Sequence, residues 1–172
     1  ILLAAIALVV PLDLLRQTKP GLNRGLVKVF GPVMRTHEMN QVSGWTYLLL
    51  GALFLILFND RHIILVTLLF QAFGDPLASY FGIRYGKDKL IGNKSLQGTM
   101  AAFVACTIIA AIYFYANNLM LERFLIVAPL AGLIGAVAEV APVGRLDDNL
   151  TFPVICGCLL WALFQVYGAT ML

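Results

Sequence analysis

Gly74-Asp75-Pro76-Leu77-Ala78-Ser79-Tyr80-Phe81-Gly82-Ile83-Arg84-Tyr85-Gly86-Lys87-Asp88-Lys89-Leu90-Ile91-Gly92-Asn93-Lys94-Ser95-Leu96-Gln97-Gly98-Thr99 is the longest polar, glycine-punctuated run in an otherwise apolar chain. It begins with an acid at the end of an apolar segment, where a carboxylate is expensive unless it has a partner or a task. The apolar runs around it, read outward, predict the fold.

Of the 172 residues, 60% are hydrophobic and 12% charged, with mean hydropathy +0.88. An ordinary soluble domain has an apolar share nearer half, so this is a membrane protein. Six apolar runs, 1–15, 42–58, 62–81, 96–116, 124–141 and 150–172, read as helices. Most approach the roughly 20 residues that cross a bilayer core; the first reads as truncated and the second is short. The expectation is an all-α polytopic transmembrane bundle of about six spans. One integral membrane domain over 1–172 is expected, with room for a further span before Ile1. Ile1 to Leu12 lacks a signal peptide's charged lead and cleavage site and reads as part of a span.

Lys and Arg orient the bundle. Arg16, Lys19, Arg24, Lys28, Arg35, Arg84, Lys87, Lys89, Lys94 and Arg145 lie in alternate connections, and only Arg61 and Arg123 in the others. By the positive-inside rule the connections near 16–41, 82–95 and 142–149 are cytoplasmic, and so is any site built on them. In the first, Leu22, Leu26, Val29 and Val33 share one helical face opposite Arg24, Lys28 and Arg35, the pattern of a short helix in the interface. Cys106, Cys156 and Cys158 fall in apolar runs without metal spacing and read as packing residues. His37 and His62 stand singly, on opposite sides of the membrane, and suggest no metal site.

The chemistry concentrates at three places. Gly74 permits close backbone approach, and Pro76 is expected to break or kink the helix and present Asp75 at the discontinuity; a carboxylate there suits Mg²⁺. Gly82 and Gly86 with Lys87, Lys89 and Lys94 combine flexible backbone with point charges, a common way to hold phosphate. Ser95 is expected to cap the next helix, whose N-terminus, with Gly98 and Thr99, would offer N–H groups to an anion. Glu139 and Asp147-Asp148-Asn149 add acids for a metal or for a hydroxyl proton, or Asp148 or Asn149 simply caps the last helix. Asp13 pairs by spacing with Arg16, and Arg35 with Glu38, which would be a second carboxylate near Asp75.

These blocks together resemble the CTP-dependent lipid-alcohol kinases: dolichol kinase, phytol kinase and the CTP-using diacylglycerol kinase. The resemblance is carried by Gly74-Asp75-Pro76-Leu77-Ala78-Ser79, Gly82, Gly86, Lys87 and Lys94 to Thr99. It continues in Glu139 with Asp147 to Pro153, closest to the phytol kinase branch, and in Asp13, Arg16, Asn23, Arg35, Glu38 and Gly44. It implies transfer of the CTP γ-phosphate to a membrane alcohol, an isoprenoid alcohol or diacylglycerol. Asp75 and Asp148, with Asp147, would hold Mg²⁺; Lys87, Lys94 and Ser95 would meet the triphosphate, with Gly74, Ser79, Gly82, Gly86, Gly98, Thr99, Arg35 and Asn149 around it. The base lies among Asp147, Asp148, Glu139 and Glu38. The bilayer, the lipid and CTP are the expected partners, a homo-oligomer is possible, and no nucleic acid is expected. A CDP-diacylglycerol synthase and a small transporter are the alternatives; the synthase signature His-Gly-Gly followed by Asp-Arg is missing from the C-terminal block.

Overall fold

The computed structural model describes residues 2–30, 41–141 and 146–168. Those residues form an all-helical bundle of seven helices: α1 (Leu2–Thr18), α2 (Pro20–Phe30), α3 (Gly44–Ile56), α4 (Arg61–Tyr85), α5 (Leu96–Ala116), α6 (Leu121–Val140) and α7 (Asp148–Tyr167). Four, α4 to α7, are long and apolar enough to cross a membrane, at 25, 21, 20 and 20 residues. Of the about six spans expected, four are long enough among the described residues; the described parts of α1 and α3 have 17 and 13 residues, against the roughly 20 that a crossing takes. The short helix expected from the basic first connection is α2, with Arg24 and Lys28 exposed and Leu22 and Leu26 half-buried; Val29, expected on the apolar face, is exposed, and Val33 and Arg35 lie outside the described residues.

The core lies between α4, α5, α6 and α7, filled by Ile63, Val66, Phe70, Cys106, Phe114, Val127, Cys156, Leu160 and Phe164. Small residues let these helices close up. A Cβ on Gly132 would lie 2.0 Å from Thr107 Oγ1 and 2.8 Å from its backbone, and one on Gly157 would lie 2.5 Å from Leu55. Without a hydrophobic drive between helices in lipid, close approach at small residues is what makes their packing specific.

At the other end from Lys94, Asp60 caps α4 by accepting from His62 N at 2.7 Å, and the buried His62 ring shares a 3.0 Å hydrogen bond with Tyr113 Oη. α1 and α3 are joined by a buried polar network. Asp13 and Arg16 form the ion pair that their spacing predicts; Asp13 Oδ2 also accepts from Ser43 N (2.8 Å) and Thr46 Oγ1 (2.7 Å), while Arg16 donates to Asn23 Oδ1 (3.0 Å). With Asp13 5% and Arg16 3% exposed, the pair is viable only because nearly every lone pair and proton finds a partner.

Candidate active site

The helix does not end at Pro76, but Asp75 does directly follow a discontinuity. α4 runs through Pro76 without interruption, and the irregularity comes just before it, as a π-turn over Phe70–Gly74. Proline in a regular helix clashes with the carbonyl four residues back and leaves it without a donor. The wider turn moves that carbonyl away, so the helix absorbs Pro76 instead of breaking.

Gly74 then brings three helices together. A Cβ on Gly74 or on Gly135 would each lie 2.7 Å from Cys106 Sγ, so α4, α5 and α6 meet at this sulfur. The half-buried Asp75 is the next residue after Gly74, and Glu139 lies one helical turn beyond Gly135. Gln71, in the π-turn, reaches the start of α7: its Nε2 is 3.4 Å from both Asn149 O and Asn149 Oδ1.

The connection 86–95 is held in shape by its own hydrogen bonds. Gln97 Oε1 accepts from Lys87 N (3.0 Å) and its Nε2 donates to Asp88 Oδ2 (2.8 Å); Leu90 N donates to Lys94 O (2.9 Å), and Lys89 pairs with Ser95 in a single β-bridge. Gly92 takes the left-handed backbone (φ 58°) that closes the turn, a conformation suited to glycine. The result places Lys94 opposite two acids. Lys94 Nζ lies 2.9 Å from Glu139 Oε1 and 3.2 Å from Asp148 Oδ2, joining the start of α5, the end of α6 and the start of α7. Glu139 is buried, with its side chain 4% exposed, whereas that of Asp148 is 53% exposed. Burial pulls the Lys94 amine down, but hydrogen bonds and charge from Glu139 and Asp148 outweigh it and hold the ammonium above its ordinary range.

Several expected roles look different in this setting. Ser95 does cap α5, accepting from Gly98 N at 3.2 Å. The first-turn donors, however, are taken up internally: Leu96 N by Asp88 O, Gly98 N by Ser95 Oγ, and Thr99 N by Ser95 O, with Thr99 Oγ1 also on Ser95 O at 3.0 Å. The free N–H groups expected there for an anion are thus reduced, although the positive end of the helix dipole remains. Gly82, Gly86 and Gly98 serve close packing: Cβ atoms on them would meet Ser95 Oγ at 3.2, 2.7 and 3.3 Å, so they join the end of α4 to the start of α5. Ser79 and Lys87 are exposed on this end of the protein. The cap of α7 is Asp147, whose side chain accepts from Asn149 N at 2.9 Å, one residue earlier than expected; Asp148 is thereby left for Lys94. Arg35 and Glu38 lie outside the described residues.

Among the described residues no three His, Cys, Asp or Glu side chains gather into a metal-binding group. The Lys94 ammonium lies where Glu139 and Asp148 converge. The two acids there offer carboxylate oxygens, the ligand type a hard cation takes, and the buried Glu139 Oε2 has no hydrogen-bond donor among the described residues. Gln71 and Gln97, to which the sequence alone assigns no role, shape the site as well; a glutamine inside the apolar run 62–81 is a signal in itself.

No family model matches the chain, and no solved structure matches it. Curated proteins do. The CTP-dependent diacylglycerol kinase 1 of Schizosaccharomyces pombe is 31% identical over 159 residues, covering 87% of this chain and 73% of that protein. The enzyme of the same name from Saccharomyces cerevisiae is 26% identical, over 91% of this chain and 60% of that protein. Dolichol kinase of Saccharomyces cerevisiae is 30% identical over 73% of this chain but 24% of its own length. With Glu139, Asp148 and Lys94 gathered at one end of a membrane-type bundle, the chain belongs to the family of CTP-dependent lipid kinases that includes the CTP-dependent diacylglycerol kinases and dolichol kinase.

Proposed function

We propose that this chain transfers the γ-phosphate of CTP to the hydroxyl of diacylglycerol, at the cytoplasmic surface of a membrane and with Mg²⁺. The observation that carries the reading is the convergence of Lys94, from the connection before α5, with Glu139 of α6 and Asp148 of α7. Diacylglycerol is favoured over an isoprenoid alcohol because the relatives with that name align over 84 to 91% of this chain, against 73% for dolichol kinase.

Phosphoryl transfer requires positioning and charge neutralisation more than covalent participation by the protein. Asp75 and Asp148, with Asp147 next to Asp148 in the chain, are the carboxylates that would hold Mg²⁺, which when bound would neutralise the triphosphate. Lys94 turns from Asp148 to the phosphates while Glu139 keeps the ammonium charged and in place. Lys87, exposed on the same connection, and Arg35 add positive charge, and Ser95 contributes the dipole end of α5. The lipid oxygen bonds to the γ-phosphorus as the bond from the γ-phosphorus to the β–γ bridging oxygen breaks, giving phosphatidate and CDP. Of the carboxylates considered for the proton, Glu139 is buried beside Lys94 and has an oxygen free of donors among the described residues. An acid in that position can take the hydroxyl proton as the new bond forms.

The test is a competition. Reconstituted protein is given CTP, Mg²⁺ and equal amounts of diacylglycerol and a polyprenol, and the lipid products are read by mass spectrometry. Phosphatidate as the main product supports the reading; polyprenyl phosphate alone would transfer it to the isoprenoid alcohols.

A further inference from the structure

Two imperfections in the bundle face each other across α4 and α7. Pro153 lies inside α7, and lacking an N–H it cannot donate to the carbonyl four residues back, that of Asn149. Opposite it, the π-turn of α4 carries Gln71, 9% exposed, whose Nε2 stands 3.4 Å from that carbonyl and 3.4 Å from Asn149 Oδ1. The backbone oxygen can only accept, so the end of Gln71 facing it is the amide nitrogen. Gly51 of α3 completes the arrangement: a Cβ there would lie 2.4 Å from Pro153 Cγ and 2.9 Å from Asn149 O, so only glycine leaves room for the proline and the exposed carbonyl together.

We propose that Gln71 is a positioning residue of the phosphoryl transfer: by donating to the carbonyl that Pro153 leaves open, it fixes the first turn of α7, and with it Asp148, relative to Asp75. Asp148 immediately precedes Asn149, and Asp75 follows Gln71 by four residues on the same helix, so one side chain sets the spacing between two acid-bearing elements. Gln71 is a poor choice for stability alone. Its Oε1 is buried with no donor among the described residues, and leaving such an acceptor unmet is unfavourable. A leucine at position 71 would remove that unmet acceptor but take the donor from Asn149 O and Oδ1, so what the amide adds is a link of fixed length between the two helices. The inference rests on the kinase reading for its catalytic part and on the fold alone for the contact.

The experiment is a double-mutant cycle on the full chain, with Gln71→Leu, Pro153→Ala and the double variant. Alanine at 153 restores the helical N–H to the Asn149 carbonyl and makes the donation by Gln71 redundant. Gln71→Leu alone should lower kcat by roughly ten- to a hundredfold, with KM for CTP moving less than about threefold, because misplacement acts on the transferring geometry. In the Pro153→Ala background the same change should lower kcat by less than about threefold. An undiminished loss in that background, or an unchanged kcat in Gln71→Leu alone, overturns the proposal. Thermal unfolding of the four proteins tests the contact without turnover. Gln71→Leu must change Tm differently in the two backgrounds, and additive Tm changes refute the contact even if the wild type is not a lipid kinase. A wild type that folds and couples in Tm yet phosphorylates no lipid sinks the function together with the catalytic role of Gln71, and leaves the contact standing.

Discussion

Replacing Lys94 by methionine removes the one ammonium shared by Glu139 and Asp148 while keeping most of the side chain's apolar length. The two ends of this bridge differ in weight. The 2.9 Å contact to Glu139 is made to a side chain 4% exposed, where a hydrogen bond between charged groups contributes about 1.5–3 kcal/mol. The 3.2 Å contact to Asp148 is made to a side chain 53% exposed, where solvent screening leaves about 0–1 kcal/mol. Lys94→Met should therefore destabilise the protein by about 2–3 kcal/mol, nearly all of it through Glu139. The pH dependence has a definite sign. Because Glu139 and Asp148 hold the folded-state amine above its ordinary value of 10.5, the stabilisation is whole below that value and is lost as pH rises through the folded-state value. Thermal unfolding followed by the fluorescence of Trp45 and Trp161 should show a wild-type advantage that is flat across neutral pH and shrinks above about pH 10.5. An unchanged unfolding temperature at neutral pH, or a wild-type advantage that grows in strong alkali, would refute the reasoning.

Asp75→Asn should abolish turnover while leaving the unfolding temperature near that of the wild type, since it removes charge but little volume; a near-normal rate would remove Asp75 from the site. Asp13→Ala should destabilise by about 3–5 kcal/mol, because it removes a buried carboxylate paired with Arg16 and leaves the Ser43 and Thr46 donors unmet; loss of unfolding temperature in detergent is the readout. Gly132→Ala should destabilise by about 1–3 kcal/mol, since the new methyl meets the Thr107 backbone at 2.8 Å. Gly25→Ala, with nothing within 4 Å on the exposed α2, should instead stabilise by up to about 1 kcal/mol, a contrast that unfolding of the two variants reads directly.

The parts of this fold that were legible in the sequence are those fixed by composition and by local rules. The run 96–116 matches α5 to the residue, because Ser95 is a strong cap and Asn117 follows the last apolar turn. The basic helix α2 and the Asp13–Arg16 pair follow from helical spacing alone. The number of crossings was less legible, because a run such as 42–58 begins with Val42 and Ser43 outside its helix and ends in a turn after Ile56, leaving 13 helical residues. The π-turn at Phe70–Gly74 was also hidden: proline ordinarily signals a break, and only the tertiary contacts of Gly74 and Gln71 show how Pro76 is accommodated. In the site, residue types pointed to the acids and to Lys94, but not to their pairing. Glu139 and Lys94 lie 45 positions apart, and their contact depends on how α5 and α6 pack. Glycines 82, 86 and 98 resemble phosphate-binding loops in sequence, and what the sequence does not show is that their missing side chains also make room for Ser95 and for the helix crossing.

The central claim, that the Lys94 cluster serves transfer of a terminal phosphate from CTP to a lipid, is tested most directly by following the label from two forms of CTP. Purified, reconstituted protein is incubated with diacylglycerol, Mg²⁺ and CTP labelled either at the γ- or at the α-phosphorus. Label from the γ-position alone should enter the lipid, in step with the formation of CDP. Lipid label from the α-position with release of pyrophosphate, or no label in lipid from either form, would contradict the account.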